Sequence, residues 1–353
     1  MSDRAVAANG LGLDLVTVRP LLEEAIDVRF ALAPGDRVIV EDGASVTVGA
    51  PLAERFRDTV LTEASLPEGT EGRPGARWTP PEPGRRGPGR PVGRGQGRRS
   101  GGELLFPWRH GWRVASGEHG EPLDSPVTGI VREVIPGVHI IVRAAGRAVR
   151  GIVALGGAAR GRLQLAAGPS GELRPGGLDV GLADTILVVG ARVDAETLTR
   201  ARAMGVRGIV VAGLSSKERR DFLASEARQR AALHRLPPFA VLVLDGAVRR
   251  SIAGPVVGLL EALEGREVAI VTDPPALVFD EPDVEPAAPP IDLVRVRSGA
   301  DAGREGRWIA SLGPRRFEHG VLLEAAQVRF AEGPAVVPIG DLERFSLGPV
   351  RAE

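Results

Sequence analysis

The sequence predicts a multidomain α+β protein with a β-rich N-terminal part, a central α/β domain holding a parallel sheet, and a C-terminal β-barrel. Three observations predict it. Apolar and polar residues alternate with a period of two through 11–65 and 104–178 and again beyond 290. Between 184 and 271 the pattern changes to short, wholly apolar runs separated by helical segments, the signature of strands covered on both faces. Two stretches, 66–103 and 276–290, are rich in proline and charge and separate these parts.

The first segment, 1–65, contains VRFALAPGDRVIVEDGASVTVGAPLAE, where Pro34-Gly35-Asp36 and Glu41-Asp42-Gly43 fall at hairpin turns. In 66–103 eight arginines between Arg73 and Arg99 face the single Glu82, and apolar content is too low to offset ordering entropy, so the stretch is expected to be a disordered tether. Short β runs punctuated by Pro126, Gly129, Pro136-Gly137 and Gly146 make up 104–178. From 179 to 275, TILVVG, GIVVAG, FAVLVLDG and EVAIVTD read as strands of one parallel sheet. Asp194 is the expected N-cap of the first intervening helix, and Ser215 or Ser216 of the second. The 276–290 tract, with Asp280, Glu281, Asp283 and Glu285, reads as an acidic linker, 291–346 as the barrel and 347–353 as a tail.

Composition narrows the function classes. The chain has 353 residues, 43% of them hydrophobic, enough for several cores, but aromatics are 4% and tyrosine is absent, so those cores must rest on aliphatic side chains. With no cysteine, disulfides, thiolate metal sites and thiol nucleophiles are excluded. Five dispersed histidines show no metal-binding spacing, and no G-x-S-x-G, G-x-G-x-x-G or G-x-x-x-x-G-K-[ST] motif occurs. No catalytic residue, cofactor or metal is therefore expected. MSDRAVAANG has no apolar h-region and no run approaches the roughly 20 residues of a membrane span, so a cytoplasmic protein without membrane contact is expected.

Three resemblances add to this reading. Val294-Arg295-Val296-Arg297-Ser298-Gly299 followed by Asp301 to Gly306, with the Pro338–Phe345 ending, resembles a KOW module with an SH3-like barrel. Such modules occur in ribosomal proteins and certain transcription factors, which implies RNA or protein contact through Arg297, Arg304, Arg307, Arg315 and Arg316. GDRVIVEDGASVTVGAPLAE and SPVTGIVREV resemble the two halves of biotinyl/lipoyl-type hammerhead domains, but no lysine stands at either hairpin tip; the only lysine is Lys217. The resemblance thus implies a structural module and no carrier role. ILVVGARVDAETLTRARAMGVRGIVVAG resembles the small α/β regulatory domains called DRTGG.

The arginine–glycine stretch adds Arg85, Arg86, Arg90, Arg94, Arg98 and Arg99 as nucleic-acid contacts, since mobile guanidinium groups grip phosphate by charge and stack on bases. The expected function is a non-enzymatic interaction or scaffold protein associated with nucleic acid or a transcription or translation ribonucleoprotein complex. Two alternatives stand beside it. One is sensing of a nucleotide or phosphate at the strand-end rim of the α/β domain, through Gly190, Gly213, Ser215, Asp245 and Asp273. The other is a purely structural subunit.

Overall fold

The computed structural model describes residues 12–33, 35–56, 60–64, 77–79, 90–91, 103–108, 111–116, 119–232, 237–318 and 320–347. The chain is a β-rich, multidomain α+β protein with mixed sheets, and it divides into two compact units: Met1–Glu24 with Arg147–Glu353, and Ala25–Gly146.

In the larger unit, the strands Ala159–Leu165, Thr185–Val188, Gly208–Val211 and Ala240–Val243 lie side by side and parallel. The last three are buried at every position, as strands covered on both faces must be. Helix α1 (Ala195–Ala203) starts where the Asp194 carboxylate accepts from Thr197 N at 2.7 Å. Helix α2 (Ser216–Ala232) starts where Ser215 Oγ accepts from Glu218 N at 3.2 Å. Together they cover one face, bringing Leu198, Ala201 and Phe222 onto Leu187, Ile209 and Val241. Helix α3 (Gly254–Ala262) covers the other face through Val256, Leu259 and Leu260, which meet Ile186, Val210 and Leu242.

The expectation of an all-parallel series fails at its last strand. Glu267–Thr272 runs antiparallel to Ala159–Leu165. The reason is where α3 delivers the chain. Gly265 N donates to Leu163 O at 2.8 Å and the Glu264 carboxylate accepts from Leu165 N at 3.4 Å, so the chain re-enters beside the carboxyl end of that strand and must run back along it. Pro275–Phe279, Arg147–Arg150 and Glu23–Glu24 then extend the sheet antiparallel on this side, and Val153–Gly156 closes the far side against Ala240–Val243. Strands from 147 to 165, expected with the second β-rich segment, therefore belong to the central sheet. The acidic tract is also tied down: Arg266 pairs with Glu281 (3.0 Å) and Asp283 (2.9 Å), Arg147 donates to the carbonyls of Glu281 (2.6 Å) and Val284 (2.8 Å), and Val284 is buried.

The same unit holds a six-stranded sheet in the order Thr17–Pro20, Leu342–Ser346, Leu293–Val296, Glu305–Arg316, Leu322–Phe330, Gly333–Pro338. Its core is Val16, Val294, Val296, Trp308, Val328, Phe330 and Leu342. The first strand comes from the N-terminal end of the sequence and pairs parallel with the last, Thr17 opposite Glu343.

In the smaller unit, Asp27–Ala31, His139–Ala144, Gly129–Ile135 and Ser45–Val46 form one sheet, and His119–Asp124, Pro51–Phe56 and Arg37–Val38 another. Segments from before and after the arginine-rich stretch are thus paired strand to strand, around Val28, Phe30, Leu52, Val131, Ile140 and Val142. Gly43 (φ 81°) and Gly137 (φ 74°) occupy the left-handed positions that the expected turns require. A further sheet, Val60–Ala64, Gly111–Ser116, Glu103–Trp108, Arg77–Thr79 and Arg90–Pro91, places two short strands inside the 66–103 stretch that was expected to lack order. Apart from Glu103, which begins the Glu103–Trp108 strand, the rest of that stretch lies outside the described residues.

Candidate functional site

The strand ends of the α/β sheet are closed in a way the sequence did not announce. Asp245, expected on an open rim, is buried at 8% exposure. Its Oδ1 accepts from Arg19 Nη1 at 2.8 Å and its Oδ2 from Arg295 Nη1 at 3.0 Å. Arg19 sits on the N-terminal strand, where it also donates to the carbonyls of Arg150 and Leu244 (both 3.1 Å) and lies over the Phe345 ring. Arg295 comes from the middle of the Leu293–Val296 strand, with Val294 and Val296 turned into their own sheet's core. It is 1% exposed, donates to Ser251 O at 2.6 Å and lies 3.6 Å from the Glu343 carboxylate. One carboxylate therefore joins two guanidinium groups from two other strands and fastens the C-terminal sheet to the α/β sheet. Burial holds the Glu343 carboxyl above the usual carboxylate range; the Arg19 and Arg295 charges oppose that shift and Asp245 adds to it.

The other rim residues do not converge. At Gly190 (φ 77°) an added Cβ would stand 2.3 Å from Gly168 O, and at Gly213 one would stand 2.3 Å from Val248 O. Both glycines serve close backbone approach. Ser215 caps α2, and Leu214 N donates to Gly246 O at 3.0 Å. Asp273 lies in the turn between the antiparallel strands Glu267–Thr272 and Pro275–Phe279, joined to Pro274 by a cis peptide bond.

What is open is a cavity of about 290 Å³ beside the ends of Ala159–Leu165 and Thr185–Val188, continuous with a groove beside Gly303 and Glu305. None of Gly190, Gly213, Ser215, Asp245 or Asp273 lines it. Nothing in the sequence marks its walls, because Leu165–Pro169 carries only small and apolar residues, with no charge pattern to single it out.

The arginines of the C-terminal sheet divide into two groups. Arg304 pairs with Asp301 and Glu332 (both 2.6 Å), lies over the Phe330 ring, and is held more basic than usual by the bonds to those two carboxylates. Arg307 pairs with Asp292, and Arg297 donates to Gly340 O at 3.3 Å. Arg315 and Arg316 are exposed and make no ion pair among the described residues; they stand at the distal end of the long hairpin Glu305–Arg316/Leu322–Phe330, opposite Leu323 and Leu322. Exposed aliphatic residues crowd that end: Val321 at 51%, Leu322 at 62% and Leu323 at 41%. Arg85, Arg86, Arg94, Arg98 and Arg99 lie outside the described residues; Arg90 is in a short strand, and nothing is described of its side chain.

Among the described residues no group of three or more His, Asp or Glu side chains is placed to hold a metal ion, and no helix is long and apolar enough to cross a membrane. His139 pairs with Glu133 (3.1 Å) at the surface of the smaller unit. No protein-family model matches the chain, and no curated protein matches it.

Proposed function

We propose that the chain is a non-enzymatic interaction protein that docks on a nucleic-acid-containing complex, ribosomal or transcriptional, through the distal end of the C-terminal hairpin. The observation that carries this reading is the pairing there of two uncommitted guanidinium groups, Arg315 and Arg316, with a cluster of exposed aliphatic side chains, Val321 to Leu323. Arginine beside apolar surface suits a contact made partly to phosphate and partly to protein. Register shifts interrupt the pairing between Trp308 and Ala310 and between Ser311 and Gly313, and irregularities of this kind bend and twist a ribbon. The KOW-like spacing of 294–306 supports the same reading, and the arginine-rich stretch at 73–99 adds positive charge to the chain's reach for phosphate. On this reading the hammerhead-like and DRTGG-like parts are scaffold.

The test is the salt dependence of binding to a defined single-stranded RNA by the full chain. Replacing Arg315 and Arg316 with alanine removes two phosphate contacts and lowers the log–log salt slope by about 1.4. Deleting 73–99 lowers it further. A slope identical in all three proteins rejects the proposal.

A further inference from the structure

The cavity beside α3 has a chemistry that points to a ligand class. Its inner wall is apolar, formed by Leu165, Ala167, Val188, Ile252, Val257 and Leu260. At about 290 Å³ it is near the lower end of small-molecule sites. It runs into the groove of about 410 Å³ where Glu261 and Glu305 are the charged lining residues; no Arg, Lys or His lines either space. Glu261 is exposed on α3, and its carboxylate makes no hydrogen bond or ion pair among the described residues. Glu305 is committed: its Oε1 accepts from Gly254 N at 2.8 Å and lies 3.9 Å from Arg295 Nε. Through Gly254 N it already occupies part of the helix end that would attract an anion.

We infer that this cavity binds a compact apolar molecule carrying a single positive charge, an arylalkyl- or alkylammonium. Its body lies between the strand ends and α3, and its ammonium group meets the Glu261 carboxylate. A phosphate or carboxylate ligand is disfavoured here, because both charged groups lining the mouth are negative and no cationic side chain lines it; Ser251 supplies only a neutral hydroxyl. The inference is independent of what the C-terminal hairpin contacts.

The test uses the full chain at neutral pH, with 2-phenylethylammonium as probe, 2-phenylethanol as its uncharged counterpart and 3-phenylpropionate as the anion, each titrated by ligand-observed NMR. The ammonium is expected to bind at least about tenfold more tightly than the alcohol, and the carboxylate more weakly than both. Glu261→Gln, an exposed position whose replacement leaves the packing intact, is expected to erase the preference for the ammonium while leaving alcohol affinity within about twofold. Ala167→Phe is expected to abolish binding of all three, and circular dichroism verifies that this variant is folded. Equal affinities for the three probes, an ammonium preference that survives in E261Q, or no binding at millimolar concentration would overturn the inference.

Discussion

Replacing Asp245 with alanine is the sharpest perturbation the structure offers. Its carboxylate joins Arg19 and Arg295, and the side chains of Asp245 and Arg295 are 5% and 1% exposed. Removing it leaves the Arg295 guanidinium buried with the Ser251 carbonyl, with Glu343 at 3.6 Å and with Glu305 at 3.9 Å. Uncompensated buried charge of this kind costs about 3–5 kcal/mol. Because Glu343 and Glu305 remain as partial counter-charges, the expected loss is at the lower end of that range, about 3 kcal/mol, more than about a hundredfold in the local opening constant. Arg19 is 20% exposed on its side chain and keeps two carbonyl acceptors, so Arg19→Ala costs less, about 1–2 kcal/mol. Pairing D245A with Arg295→Met removes the stranded charge, so the double variant is expected to be less destabilised than the sum of the singles by at least about 1 kcal/mol. Since the chain holds two units, hydrogen exchange read peptide by peptide over 239–246, 293–297 and 342–346 is the suitable assay. A D245A effect below about 1 kcal/mol in all three peptides, or strict additivity in the cycle, would refute the claim that this carboxylate fastens the two sheets.

Further predictions concern single groups. Glu343 has a raised carboxyl pKa in the folded chain, so its contribution is fully present below the ordinary glutamate pKa of about 4.3 and is lost as pH rises through the folded value. Glu343→Gln is therefore expected to gain on the wild type as pH climbs from that point; a stability difference that stays flat, or moves the other way, contradicts it. Asp27 is held below the usual carboxylate range chiefly by its hydrogen bonds from Arg143 (2.7 and 2.6 Å). Its contribution is present at neutral pH and lost on acidification, and Arg143→Ala should return the Asp27 titration, followed by carbon-13 NMR, to the ordinary range. Gly190→Ala should cost at least about 1–2 kcal/mol from its φ of 77° alone, before the approach to Gly168 O is counted. Gly157→Ala, where a Cβ meets nothing within 4 Å, serves as the thermal-unfolding control.

Local signals in the sequence were legible where local chemistry decides the outcome. Asp194 and Ser215 cap their helices because a short oxygen-bearing side chain before a helical run has few better partners than the free amides. TILVVG and GIVVAG were equally plain as buried strands, since unbroken apolar runs of this length demand two covered faces. Strand direction was not legible, because EVAIVT buries the same side chains whichever way it runs; its direction follows from the turn at Gly265, which rests on a bond to Leu163 far away in sequence. Nor could spacing reveal that Thr17–Pro20 pairs with Leu342–Ser346. Arg295 carried no sign of its burial, because period two assigns one face of a strand to solvent, whereas both faces of this one are covered. The acidic tract read as a linker since its Arg266 and Arg147 partners lie outside it.

The most direct test of the proposed docking end is photocrosslinking in the native host from a photoreactive amino acid placed at Leu322, with the same group at Leu223 on α2 as the exposed reference. The expected result is adducts with RNA or protein of one ribosomal or transcriptional complex, formed from position 322 and lost when Arg315 and Arg316 are replaced. Adducts from position 322 that are no more abundant or specific than those from position 223 would contradict the account.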